Sequence, residues 1–144
     1  MACMKPVTPG KSYLGKLAHD GDLLEELNAF CAAQDIRLGR VEAIGAVRKA
    51  RIGYYHQDTR TYEFHEFNEP MEITALAGNV SLKDGKPFVH AHVTLTNAKG
   101  QAFGGHLAPG TVVFACEALV QELQGPTFQR AMDEQTGLPL WKME

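Results

Sequence analysis

Half of the chain's six histidines fall close together: His90 and His92 in Pro87-Phe88-Val89-His90-Ala91-His92-Val93, and His106 in Gly104-Gly105-His106-Leu107. In a strand, successive side chains point to opposite faces, so His90 and His92 share a face about 7 Å apart, a span that two ligands of one metal ion can bridge. Whether His106 joins them depends on the turn between the two segments. A four-residue loop over 97–100 would pair Thr96 with Gln101 and Ala91 with His106, leaving the third imidazole on the wrong face. A three-residue loop, Ala98-Lys99-Gly100, puts Gly100 in the left-handed position that closes a bulged hairpin, pairs Asn97 with Gln101, and sets His92 opposite His106. The sequence therefore predicts a hairpin on which three imidazoles meet on one face.

Such a triad suits zinc or a similar divalent ion, which takes neutral nitrogen donors at about 2.0 to 2.1 Å and keeps a fourth position for water or a ligand. The alternative is a structural cluster in which the rings hydrogen-bond one another. His19, His56 and His65 stand near predicted strand ends among polar neighbours and read as surface residues. Asn79 and Ser81 alternate onto one face of the preceding strand. They are candidates to orient a ligand or to support the imidazoles, as metal-bound histidines require. Asn79, beside Gly78, is equally suited to an unusual backbone angle.

At 144 residues the chain makes one domain, 1–144, long enough to bury about two-thirds of its unfolded surface. Its three cysteines, Cys3, Cys31 and Cys116, show no paired spacing, which fits ordinary thiols in a reducing cytoplasm. Neither a signal peptide nor a membrane span is expected. A net charge of −3 provides no general attraction to phosphate backbones, and the one basic cluster, Arg48-Lys49-Ala50-Arg51, reads as a solvated turn.

The remaining elements follow from local pattern. A short strand over 13–17 precedes a helix capped by Asp22, with Glu25 three residues on and Leu23, Leu27, Phe30 and Cys31 on one face. Residues 36–46 read as a strand bent or closely approached at its glycines, and 50–56 with 62–67 as a hairpin around 57–60. A strand over 71–82 leads through the Asp84-Gly85 turn into the histidine strand. Residues 112–123 are ambiguous, since Val112, Cys116, Leu119, Val120 and Leu123 fit a helix while Thr111-Val112-Val113-Phe114 prefers a strand. The tail, 128–144, is expected to run extended with Trp141 against the body. The class is α+β: a curved, mostly antiparallel, barrel-like sheet with one principal helix.

Gly78-Asn79-Val80-Ser81, the Gly85-x-Pro87 turn, His90-x-His92, Gly104-Gly105-His106-Leu107 and Gly110 occur in the order found in the PPC domain, named for plants and prokaryotes. Gly45-Ala46-Val47 and Thr136-Gly137-Leu138-Pro139-Leu140-Trp141 resemble the stand-alone bacterial members, so the resemblance spans about residues 12–142. It implies an α+β fold, resolves 112–123 as a strand, and implies a homotrimer. Members of the family are described as candidate DNA-binding proteins. In plant relatives a separate Arg-Gly-Arg-Pro hook contacts DNA while the domain mediates assembly and partner binding. The nearest match here, Leu38-Gly39-Arg40, lacks the first Arg and the Pro. The fold is also similar to that of α-acetolactate decarboxylase, where a His-x-His pair and a later histidine hold zinc, which implies His90, His92 and His106 as ligands. Two functions follow: a regulatory homotrimeric module with a metal site, binding proteins or DNA, or a zinc-dependent lyase or hydrolase acting on a small carbonyl or ester. No catalytic side chain is assigned. Glu42, Glu63 and Glu117 qualify only by lying on predicted strands, where carboxylates are usually solvated or ion-paired.

Overall fold

Nine strands and one helix make up the computed structural model, which describes residues 2–143. In chain order they are β1 (Thr8–Lys16), α1 (Leu23–Ala33), β2 (Gly39–His56), β3 (Thr61–Phe67), β4 (Met71–Lys83), β5 (Lys86–Thr96), β6 (Ala102–Leu107), β7 (Val112–Gln124), β8 (Arg130–Met132) and β9 (Pro139–Trp141). The main sheet runs β1-β7-β2-β4-β5-β6, with β3 on β2 and every pairing antiparallel. β6 also pairs with β2 at Ile52 and Gly53, so the sheet curls back on itself.

β2 is the spine of the domain. The sequence reads its two halves as separate strands, whereas the structure runs them together as one strand of 18 residues. Its first half lies between β7 and β4; its second half lies between β3 and β6. The change of neighbours follows a bulge between Ala43 and Gly45 against β4 and two register shifts against β7, at Ala46/Val47 and Val47/Lys49. Bulges bend a strand and increase its twist, which is how one strand can serve both ends of a curled sheet. The ambiguous segment 112–123 is strand β7.

Asp22 caps α1 as its sequence predicts. One carboxylate oxygen accepts from the N–H groups of Leu24 (3.1 Å) and Glu25 (3.0 Å), two of the donors that a helix start leaves free. The other accepts from the N–H of Gly110 at 2.6 Å, tying the helix to the loop before β7. Leu23, Leu24, Leu27 and Cys31 bury one face of the helix and join Val89, Ala91, Val93 and Leu95 of β5 in the core. Asn28 adds a polar pin, its Oδ1 accepting from the N–H of Val89 at 2.8 Å. β6 pairs with β5 only from His92 to Thr96, so Val89 lies past the end of that ladder and Asn28 satisfies a donor the sheet leaves over.

The tail is more structured than an extended segment. β8 and β9 form a small antiparallel hairpin, and Trp141 packs edge-on against Phe128 with ring centroids 5.1 Å apart. The β2–β3 hairpin holds the turn between these strands: the Tyr55 hydroxyl donates to the Thr136 carbonyl at 2.7 Å, and Arg60 donates to the carbonyls of Glu134 and Gln135. Leu82 and Phe128 join the tail to β4 through a main-chain bond of 2.9 Å.

Candidate metal centre

The loop between β5 and β6 settles the geometry of the histidines. Gly100 has φ +74°, its N–H donates to the Asn97 carbonyl at 2.9 Å, and the Asn97 N–H donates to the Gln101 carbonyl at 3.1 Å. The Asn97 side chain reinforces the turn, its Oδ1 accepting from the N–H groups of Lys99 and Gln101 at 3.0 Å each. The resulting register pairs His92 with His106, where the three-residue loop predicts it. Val89, Ala91 and Val93 turn toward the helix and the core, so His90 and His92 stand on the opposite face of β5.

The Gly104-Gly105 pair lets β6 reach this position. A Cβ on Gly105 would lie 2.7 Å from the carbonyl oxygen of Gly53, so only glycine allows β6 to close against β2 at that point. Gly53 itself lies under the rings of Tyr62 and Phe64, each 3.1 Å from where its Cβ would stand. The Tyr62 ring thereby comes against His106, with centroids 5.1 Å apart. The imidazole centroids are 5.1 Å (His90–His92), 5.0 Å (His90–His106) and 5.7 Å (His92–His106) apart.

One ring nitrogen from each histidine lies within 4.8 Å of the others. Nitrogens sharing a tetrahedral ion at bonds of about 2.0 to 2.1 Å stand about 3.3 Å apart, so small side-chain rotations close the set. No hydrogen bond joins the three rings among the described residues, and Nδ1 of His106 is buried without a partner. A buried nitrogen left without a partner costs about 1 to 3 kcal/mol, and a metal ion would satisfy it. The observed packing therefore speaks against a self-contained hydrogen-bonded cluster.

The surroundings favour the neutral form of His90 and His106. Burial, with the positive charges of His106, Arg130 and His92 adding to it, pulls His90 down to about 4; burial first, then His92 and Arg130, lowers His106 as well. Neutral imidazole is the form that ligates a metal. The same shift gives the metal-free protein a pH dependence. His90 binds no proton in the folded state until the pH approaches 4, whereas its unfolded form binds one near 6.5. Stability is therefore flat above 6.5 with respect to this group and falls as the pH drops from 6.5 toward 4, at about 1.4 kcal/mol per unit at most. Urea unfolding of the metal-free protein at pH 7 and pH 5 should show a loss of about 2 kcal/mol or less, and His90→Gln should remove most of it.

The Plants and Prokaryotes Conserved (PCC) domain, which is the PPC domain under its other abbreviation, matches residues 4–124. The chain belongs to this family. A solved structure of a metal-containing protein from Archaeoglobus fulgidus shares 45% identity with this PPC domain at a TM-score of 0.92, covering 96% of this chain and 98% of the other. A plant- and prokaryote-conserved protein from Pyrococcus horikoshii shares 37% identity at 0.91, over 95% and 94%. A candidate DNA-binding protein from Bacteroides thetaiotaomicron shares 26% at 0.85, over 95% and 97%. Among curated proteins, the bifunctional protein GlmU of a Synechococcus strain is 33% identical over 137 residues, which are 92% of this chain but 20% of GlmU. This PPC domain thus spans about a fifth of the length of that relative.

Asn79, cross-strand from His90, and Ser81 hydrogen-bond Arg130 in this PPC domain. Asn79 Oδ1 accepts from Nη2 of Arg130 at 2.8 Å, and Ser81 Oγ accepts from Nε at 3.0 Å, while Nη1 donates to the Pro139 carbonyl at 3.0 Å. Arg130 is 8% exposed and lines, with Tyr62, Phe88, His90 and His106, a cavity of about 190 Å³ roofed by residues 138–140. Sequence reasoning missed it. Its only signal is a cation beside Phe128, Ala131 and Met132, and β8 must fold back onto β4 before that cation meets Asn79 and Ser81.

None of the three candidate glutamates lines this cavity. Glu42 pairs with Arg40 at 3.4 Å, Glu117 is exposed on β7, and Glu63 bonds His56 at 2.6 Å, a contact that lowers its pKa. His19 bonds the Phe114 carbonyl at 2.7 Å and Arg48 at 2.9 Å. His65 lies within β3, two residues from its end, and is exposed. The basic cluster is divided among partners and not a free turn: Arg48 pairs with Asp20 at 2.7 Å, Ala50 is buried, and Arg51 stacks on Phe64 at 3.7 Å.

Proposed function

We propose that this chain is a regulatory module built on zinc: a homotrimeric PPC domain in which His90, His92 and His106 hold one zinc ion whose open position faces the cavity beside Arg130. The observation that carries the reading is the convergence of one ring nitrogen from each of three histidines, one of which, His106, also has a buried Nδ1 without a partner. Three nitrogen donors suit zinc among the common divalent ions, because it accepts tetrahedral coordination without a preference for carboxylate oxygen. A zinc ion so held offers a Lewis-acid position where water or a ligand oxygen can sit. The metal-containing protein of Archaeoglobus fulgidus supports the premise.

Two observations support a module over a self-sufficient catalyst. The match to a fifth of GlmU is what a domain recruited into a longer protein gives. Leu14, Ile44 and Phe114, 84%, 57% and 54% exposed, lie on the neighbouring strands β1, β2 and β7 among the charged Lys16, Glu42 and Glu117, a mixed face that suits a subunit contact. The buried thiols of Cys31 and Cys116, each pushed up to about 11 mainly by burial, fit a reducing cytoplasm. Among the described residues no helix is long and apolar enough to cross a membrane.

Protein and small-molecule ligands suit these surfaces better than DNA, because the net charge is −3 and the arginines of the basic cluster are engaged. In a low-salt anisotropy titration with mixed-sequence duplex, no binding is expected in the micromolar range, where even non-specific binders respond. Tight, salt-dependent binding there would restore the DNA-binding reading.

The alternative, a zinc-dependent lyase or hydrolase acting on a small carbonyl or ester, is favoured by one observation: Tyr62 and Arg130 line the cavity that the imidazoles face. Elemental analysis of protein purified without a nickel column tests the common premise, with one ion per chain expected. Protein that purifies without metal and takes up none when zinc is added would refute it. Chelator-sensitive turnover would then separate the enzyme from the module.

A further inference from the structure

We propose that the cavity beside the three histidines is a binding site for a small carboxylate, with Arg130 as its charge anchor. The proposal deepens the metal reading, on which it rests for the second anchor, but its first anchor belongs to the protein alone.

Arg130 is, among the described residues, a buried cation without a counter-ion. Among the described residues no aspartate or glutamate pairs with it, and its three partners, Ser81, Asn79 and the Pro139 carbonyl, are all neutral. A guanidinium has five N–H groups, so among the described residues one on each Nη has no protein acceptor. Burying an unpaired charge is expensive, and such groups are normally paired or used. If Arg130 served only to pin β8 and β9 to β4, a neutral amide could make comparable bonds without that cost.

The neighbouring charges add in the same direction. Lys83 lines the same cavity, and a divalent ion at the histidines would bring two more positive charges to it. A field of one sign inside low-dielectric walls selects an anion.

Size and walls narrow the class. At about 190 Å³ the cavity is below the range of about 300 to 1,000 Å³ typical of drug-sized ligands, so its occupant has few heavy atoms. Phe88, Leu140 and Pro139 provide apolar wall, and the Arg130 guanidinium carbon lies 5.6 Å from the Phe88 ring centroid. Neither a helix N-terminus nor a glycine-rich phosphate loop contributes, and those are the usual sources of main-chain donors for a phosphate dianion. A planar carboxylate accepts two parallel bonds from a guanidinium and leaves its apolar remainder to the walls. Arg130 lies beyond residues 4–124, so this anchor stands outside the span that defines the family match.

The experiment is calorimetry of lactate, its neutral analogue lactamide, and inorganic phosphate into the full chain, metal-free and after cobalt(II) loading. Cobalt uptake is read from its visible spectrum. Lactate should bind at least tenfold tighter than lactamide, and should shift the cobalt spectrum. Arg130→Gln risks unseating the tail, so the chosen variant is Asn79→Asp, which keeps the shape and hands Arg130 an internal carboxylate. It should take up cobalt normally and bind lactate at least tenfold more weakly. Equal binding of lactate and lactamide, or undiminished lactate binding by Asn79→Asp, would overturn the proposal, as would binding of phosphate without lactate. If wild-type protein takes up no cobalt, the metal reading fails by itself. The metal-free titration then decides this site: lactate binding that Asn79→Asp weakens supports it, and no lactate binding in either form overturns it.

Discussion

Metal-free chain should take up one divalent ion per protomer with a large rise in stability, and His106→Ala should abolish that rise. A ligand that binds only the folded state stabilises it by about 4 kcal/mol at a free concentration of a thousand times its dissociation constant. Because His106 supplies a buried nitrogen without a protein partner, the variant removes a cost as well as a donor. Its effect should therefore depend on the metal. Without metal, His106→Ala should change stability by about 1 kcal/mol in either direction, the relief of the orphaned nitrogen offsetting lost ring packing against Tyr62. With zinc present it should trail the wild type by about 3 to 4 kcal/mol. His92→Ala should lose the metal as well, yet its ring is exposed and its metal-free stability should stay near wild type. Thermal unfolding with and without zinc, alongside elemental analysis, measures all three. An equal destabilisation by His106→Ala in both conditions would mean that the ring serves packing alone.

The second large effect is expected at Gly45, far from any ligand. Its φ of +149° lies where side chains are strained, and a Cβ there would stand 2.1 Å from the Ala115 carbonyl oxygen and 2.7 Å from Cys116 Cα. These atoms belong to β7 backbone, so they cannot swing aside. Strain of about 1 to 3 kcal/mol and overpacking of a similar size together predict a loss of roughly 4 kcal/mol for Gly45→Ala by urea unfolding. Gly15→Ala is the control, since nothing lies within 4 Å of its Cβ position, and it should stay within about 0.5 kcal/mol of wild type. A loss at Gly45 no larger than the control would mean that β2 can separate from β7 there without consequence. That would remove the reason for a glycine at the bend of the spine strand.

The contrast between these two sites shows what kind of information was readable. Asp22, Asp84-Gly85 and Asn97 to Gly100 act over a few residues, and their cap and turns form as their local chemistry predicts. The hairpin register is the furthest consequence of that sort: one glycine at φ +74° sets which face His106 occupies, because a strand alternates strictly. Gly45 was legible as a bend but not as the middle of a strand. A bulge and the change of neighbours it allows depend on β4 and β7, which lie far along the chain.

By itself, then, the sequence determined the helix and its cap, the turns, the mixed class of the fold, and the meeting of three imidazoles on one face, since each follows from local backbone geometry and periodicity. Only the tertiary structure decided the rest. It made β2 a single spine, left His106 Nδ1 without a partner, and joined Asn79 and Ser81 to Arg130. It also carried Arg130 from the tail to the cavity wall. Burial, desolvation and the company of distant charges are properties of the closed chain, and a pattern of residues along a line does not contain them.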